Sequence, residues 1–179
     1  MVDRSTAGTL ILGFGNPDRQ DDGAAWHIVR GLAERLGRTV YESTDGDQYE
    51  AEPSPILVCV LQLIPEMAEA LPLFERVCFV DAHMGSYADP AQRVGDCPGI
   101  RFEALQPDYQ ISPFTHHLAP QSCLNLAALY GRAPQAVVCS IQGYEFGFAQ
   151  SLSERTSGLV EEAVERICTW VEATSLPPV

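Results

Sequence analysis

Short apolar runs alternate along the chain with stretches whose apolar positions recur every three or four residues, which predicts strands and helices in turn. TLILGFG (9–15) reads as a buried strand, closed by Gly13, Gly15 and the Asn16-Pro17 turn signal. From about Asp22 to Leu36, the positions Ala25, Ile28, Val29, Leu32 and Leu36 share one helical face, and Gly37 ends the run. ILVCVL (56–61) is a second strand, followed by a helix that starts at Pro65, where the missing N–H of proline costs nothing. RVCFVDA (76–82) is a third strand, and IRFEAL (100–105) alternates apolar and polar residues as a more exposed strand does. Leu118 to Tyr130 predicts a helix capped by Gly131, and AVVCSIQ (136–142) another strand. A last helix over about 156–173 places Leu159, Val160, Ala163, Val164, Ile167 and Val171 on one face.

Strands alternating with helices imply an α/β three-layer sandwich, with a mostly parallel twisted central sheet and helices on both faces. A length of 179 residues suits a single domain spanning the chain. Two stretches fit no regular element. ESTDGDQYEAEPSP (42–55) is acidic and turn-rich and reads as a mobile surface loop, and SYADPAQRVGDCPG (86–99) as a second long connection. Neither is a domain linker, because the flanking strands are needed for one sheet. There is no internal repeat.

The charge narrows the function. A net charge of −13 argues against a nucleic-acid or anionic-membrane partner, either of which needs a basic face. All eleven basic residues are Arg, so there is no lysine for a Schiff base, a phosphate loop or a Ser–Lys dyad. The opening MVDRSTAGTLILGFG has Asp3 ahead of a short apolar run and does not read as a signal peptide or a membrane span. The six cysteines lie far apart, without a CxxC pair and mostly within apolar runs, as buried free thiols do in a reducing compartment. The expected location is the cytoplasm.

In a parallel α/β sheet, ligands bind beyond the carboxyl ends of the strands, near a point where the strand order reverses. Polar residues expected there are Asp18, Asp21 and Asp22 after the first strand, and Asp81 and His83 after the third. His116 and His117 precede the helix at 118, and Gln142 and Glu145 follow the last strand. Two carboxylates and an imidazole converging on one crevice suit a borderline divalent cation, or a water held for acid–base work. Each also has a plainer reading: Asp21-Asp22-Gly23 as a helix N-cap, Asp81 as a turn former, His116 and His117 as capping or surface residues, and His27 as a structural residue on the first helix. Gly13-Phe14-Gly15 lacks the third glycine of a dinucleotide fingerprint, since Asp18 stands in its place.

The same segments, in order, resemble the nickel–iron hydrogenase maturation proteases. LILGFGNPDRQDDGAAWHIV (10–29) is similar to that family's glycine- and asparagine-containing opening with its acidic pair, and LQLIPEMAEAL (61–71) to a stretch usually written HQLTPELAE. RVCFVDAHMG (76–85) carries the strand-ending Asp. THHLAPQSCLNLAALYGRAPQAVVCSIQGYEFGFAQSLS (115–153) resembles the His–helix–strand segment and the glycine, phenylalanine and Leu-Ser pattern that follows. The resemblance implies an endopeptidase that removes a C-terminal extension from the nickel-loaded large-subunit precursor of a NiFe hydrogenase. The nickel residues of the family, which are also its candidate catalytic residues, fall on Asp22, Asp81 and His116; the His-x-Leu-x-Pro spacing selects His116 over the adjacent His117. The implied metal belongs to the substrate, so no permanently bound cofactor is expected, and the expected state is a monomer. One departure is Leu61, where the family usually has His. Two other readings of the crevice stay open: a hydrolase of small molecules with its own ion, and a non-catalytic nickel or precursor chaperone.

Overall fold

The computed structural model describes residues 7–42, 53–84, 99–106 and 118–173. The regular elements in chain order are β1 (Ala7–Phe14), α1 (Ala24–Leu36), β2 (Val40–Tyr41), β3 (Ile56–Val60), β4 (Phe74–Met84), β5 (Ile100–Leu105), α2 (Pro120–Tyr130), β6 (Gln135–Gly143) and α3 (Glu154–Glu172). The strands form one sheet in the order β2-β3-β1-β4-β6-β5. All neighbours run parallel except β5, which lies antiparallel on β6 at the edge. The expected α/β sandwich with a mostly parallel sheet is what the chain forms.

Alternate residues of the strands feed two cores, because successive side chains of a strand point to opposite faces. Ile11, Leu57, Cys59, Cys78, Val80, Cys139 and Ile141 pack under α1 and α3. Leu10, Leu12, Val58, Val77, Phe79 and Val138 pack under α2 and the 65–73 segment. β3 is buried along its whole length, so its continuous apolar run is that of a strand covered on both faces. β5 is only half-buried through its middle, which is the exposure its alternating pattern predicts.

Several boundaries differ from expectation, each for a local reason. α1 begins at Ala24, not Asp22, because Gln20–Gly23 forms a separate 3-10 turn. The expected helix from Pro65 is two 3-10 turns, Pro65–Glu69 and Leu71–Leu73, with Pro72 unable to continue a helix through its predecessors. β4 runs to Met84, so Asp81 and His83 lie inside the strand and not beyond it. The two-residue β2 was not expected; it is too short for a period to show. Residues 43–52 of the acidic loop and 85–98 of the second connection lie outside the described residues.

The chain leaves β1 toward β2 and β3 on one side, then crosses back from β3 to β4 on the other. The carboxyl ends of β1 and β4 therefore flank the switch point of the sheet, the place where ligands bind in sheets of this kind.

Candidate functional site

The loop after β1 is wound tightly enough to dictate its residues. Gly15 adopts φ +139, and a Cβ on it would collide with the Asp22 carbonyl oxygen. A Cβ on Gly23 would meet the Pro17 Cα at 2.7 Å. The Asn16 N–H donates to Asp22 Oδ2 at 3.0 Å, and the Trp26 indole N–H donates to the Gly15 carbonyl at 2.9 Å. These contacts hold Asp22 at the rim of the switch point, partly exposed.

Neither aspartate of the pair caps α1; its N-cap is Gly23, with no side-chain bond. Asp21 instead turns inward and is fully buried. Its Oδ2 accepts from the Tyr144 and Glu145 N–H groups, both at 2.8 Å, and from the Ser153 and Thr156 hydroxyls, both at 2.7 Å. Its Oδ1 accepts from the Ser153 N–H at 2.7 Å. Burial works to raise this carboxyl, but the hydrogen bonds from Tyr144, Glu145 and Ser153 outweigh it and bring the pKa down to about 2.

The rest of the loop reinforces the attachment. Gln20, at the unusual φ of +46, donates to Glu145 Oε2 at 3.1 Å and accepts from the Gly147 N–H at 2.7 Å. Gln150 donates to Asp18 Oδ1 at 2.7 Å. Asp18, Asp21 and Glu145, which the sequence offered as site candidates, thus join the β1–α1 loop to the segment after β6. His27 sits against the Gln150 carbonyl at 3.4 Å, in keeping with a structural place on the first helix.

Asp81, His83, Ser140 and Arg101 occupy the α2 face of the sheet. Asp81 is in register with Ser140 on β6, and Ser140 with Arg101 on β5, so the three lie in a row across three strands. His83 is two residues further along β4 and on the same face as Asp81, with its Nδ1 2.8 Å from Ser140 Oγ. Arg101 pairs with Glu103. Asp81 Oδ1 is buried with no hydrogen-bond partner. Burial pushes the Asp81 carboxyl up to about 6; a hydrogen bond from the Ser140 side chain and the charge of Arg101 hold it back, and the Asp22 carboxylate pushes it further up. The charge of Asp22 therefore reaches the Asp81 carboxyl. Burial and the Arg101 charge both lower the His83 pKa.

Of the three residues that the resemblance singled out, Asp22 lies near enough for its charge to act on Asp81. His116 and His117 lie outside the described residues. Among the described residues, no group of three His, Cys, Asp or Glu stands ready to hold a metal ion, and no helix is long and apolar enough to cross a membrane. Cys59, Cys78, Cys123, Cys139 and Cys168 are buried and free. Ser140 and Ser153 escaped the sequence reading. The signals were there: Ser140 is the polar residue that interrupts the apolar run AVVCSIQ, and Ser153 belongs to the Leu-Ser pattern ahead of α3.

No protein-family model matches the chain, and no curated protein matches it in sequence. Solved structures do match. The NiFe hydrogenase maturation protease HybD from Thermococcus kodakarensis is 21% identical, covers 92% of this chain and 99% of its own, and superposes with a TM-score of 0.57. The fold is that of the hydrogenase maturation proteases. HycI from Thermococcus kodakarensis, another NiFe hydrogenase maturation protease, is 20% identical over 93% of this chain and 94% of its own, with a TM-score of 0.57. The hydrogenase maturating endopeptidase HybD from E. coli is 16% identical over 91% of both chains, with a TM-score of 0.58. Within this maturation-protease fold, Leu61, where the family usually has His, is 64% exposed just past β3, one strand away from the β1 loop.

Proposed function

We propose that the chain is an endopeptidase that removes the C-terminal extension from the nickel-loaded large-subunit precursor of a NiFe hydrogenase. The observation that carries this reading is the buried and unpartnered Oδ1 of Asp81 at the β1/β4 switch point, within reach of the Asp22 charge. Further support is the fold shared over more than nine-tenths of the chain with proteins named as such proteases.

Nickel enters as part of the substrate. Asp22, Asp81 and the His116 imidazole supply two oxygens and a nitrogen, a donor set suited to a borderline cation whose other positions are filled by the precursor. Peptide hydrolysis then needs a polarised carbonyl and an activated water. Asp81, whose carboxyl titrates near 6, is ionised at neutral pH and basic enough to take a proton from water. Asp22 is held at the rim by the Asn16 N–H and orients the nickel centre. Cys59, Cys78, Cys123 and Cys139 play no part, since a thiol must ionise to attack and burial pushes these four the other way.

The test is the mass of a nickel-loaded large-subunit precursor before and after incubation with the protein, alongside a nickel-free precursor and the folded Asp22→Ala and His116→Ala variants. A nickel-dependent loss of a C-terminal peptide, abolished in both variants, is the expected result. Binding without shortening would make the protein a chaperone. Normal processing by both variants would overturn the residue assignment.

A further inference from the structure

Three features of the described residues have no role so far: the exposed apolar side chains Leu61, Met84 and Phe148, the Arg76 guanidinium that donates to the Trp170, Val171 and Ala173 carbonyls at the end of α3, and the polar row on the α2 face beside Asp81. Nothing in the structure shows what covers the first, and the second is accounted for by helix termination. The third carries an inference.

Ser140 is 3% exposed, within the apolar run AVVCSI of β6. Its hydroxyl lies 2.8 Å from His83 Nδ1, and it faces Asp81 directly across the β4–β6 ladder. A serine hydroxyl has one proton to donate and two lone pairs, an ionised carboxylate only accepts, and a neutral imidazole donates from one nitrogen and accepts at the other. One arrangement satisfies both neighbours of Ser140: His83 Nδ1–H donates to Ser140 Oγ, and the Ser140 O–H donates to Asp81. In the reverse arrangement, the only proton of Ser140 goes to His83 and Asp81 loses the hydrogen bond from Ser140.

We propose that His83 and Ser140 are positioning residues for Asp81. His83 directs the Ser140 hydroxyl proton onto one oxygen of the carboxylate, so that the buried and unpartnered Oδ1 is left to face the incoming substrate. The relay fixes which oxygen of Asp81 works and how it is turned, as outer-shell partners orient the groups that touch a metal or a substrate. No bond is made or broken in it; the protons stay on Nδ1 and Oγ. This inference rests on the proposed endopeptidase reading for its activity consequence, but not for its geometry.

Two measurements test it. The first needs no substrate: 15N spectra of the imidazole of His83, assigned by comparison with His83→Asn. The relay requires a protonated Nδ1 and an unprotonated Nε2 at neutral pH; the opposite tautomer overturns the proposal. The second is kinetic, on nickel-loaded precursor. Ser140→Ala and His83→Leu should each lower kcat about 10- to 100-fold with KM little changed. The double variant should be no worse than either single one, because both break the same chain. His83→Asn, whose amide N–H reaches the place of Nδ1–H, should recover most of the loss. Independent, multiplying losses, or no rescue by Asn in a folded variant, would overturn the relay. If the unaltered protein fails to cleave the precursor, the endopeptidase reading falls, and the tautomer measurement still decides the relay.

Discussion

Ser153 donates both its backbone N–H and its hydroxyl to the carboxylate of Asp21, each at 2.7 Å, across 132 positions of sequence. The same serine is the N-cap of α3, accepting the Thr156 N–H at 3.3 Å. One buried carboxylate therefore ties the loop that presents Asp22 to the start of the last helix.

Removing that carboxylate leaves the Tyr144, Glu145 and Ser153 N–H groups without their acceptor and takes one partner from the Ser153 and Thr156 hydroxyls. Asp21→Ala should cost about 3–5 kcal/mol in urea unfolding, and Ser153→Ala about 1–3 kcal/mol. A loss below about 1 kcal/mol for Asp21→Ala would contradict the lock. The pH dependence follows from the depressed pKa. The unfolded chain takes up a proton near 3.8 and the folded one only near 2, so the contribution of Asp21 is fully present above about pH 4 and fades as pH falls toward 2. Over that window the stability of Asp21→Asn should fall less steeply than that of the unaltered protein.

Asp81 predicts the opposite sign. Its folded pKa of about 6 lies above the ordinary 3.8, so between those values the folded state holds a proton that the unfolded chain has lost. Stability therefore drops as pH rises from about 4 to 6 and the penalty stays above that. Asp81→Asn should be more stable than the parent at pH 7, by roughly 1–3 kcal/mol, with the difference shrinking toward pH 4. It should also lose processing. For the unaltered protein, kcat/KM should rise as pH passes through about 6. A stabilised variant that still cleaves would remove Asp81 from the chemistry.

Arg76 closes the far end of α3. Its guanidinium donates to the carbonyls of Trp170 at 2.6 Å, Ala173 at 2.9 Å and Val171 at 3.4 Å, and lies 4.0 Å from the centre of the Trp170 ring. The last carbonyls of a helix have no partner within it, and a positive charge suits that end of the dipole. Arg76→Ala should cost about 2–3 kcal/mol. The last turn of α3 should show faster amide exchange, while kcat stays unchanged, since this contact lies at the amino end of β4, away from Asp81.

The thiols should be inert. Burial pushes Cys59, Cys123 and Cys139 up to about 12, and Cys78 up as well. Peptide mapping after iodoacetamide treatment at pH 8 should find these four unmodified in the native protein and modified in urea. Rapid native labelling of any of them, with loss of activity, would reopen a thiol mechanism.

The sandwich was legible because burial writes a period into the chain. β1, β3, β4 and β6 are apolar runs, and α1 and α3 carry one apolar face; each pattern follows from the local geometry of the element. The likeness of segments 10–29 and 76–85 to known proteases singled out Asp22 and Asp81, but the expected strand end at Asp81 was not met, since β4 continues to Met84. The 65–73 segment misled, because Pro65 suits a helix start while Pro72 prevents the helix from growing.

The resemblance singled out Asp22 of the acidic pair, but the role of Asp21 was not legible. Asp21 and Asp22 are adjacent, chemically identical and equally suited to a helix start, and no rule of spacing tells them apart. Their fates differ because one points to donors at Tyr144, Glu145, Ser153 and Thr156, more than 120 positions away, and the other points to the rim. Asp81, Ser140 and Arg101 are likewise unremarkable within their own strands and form a row only through the β4–β6–β5 register. Periodicity is a property of neighbours along the chain, so the sequence alone yields the elements and the candidate carboxylates. Charge, hydrogen bonding and burial are properties of neighbours in space, and they set which carboxylate holds the fold together and which one is left with an oxygen to offer.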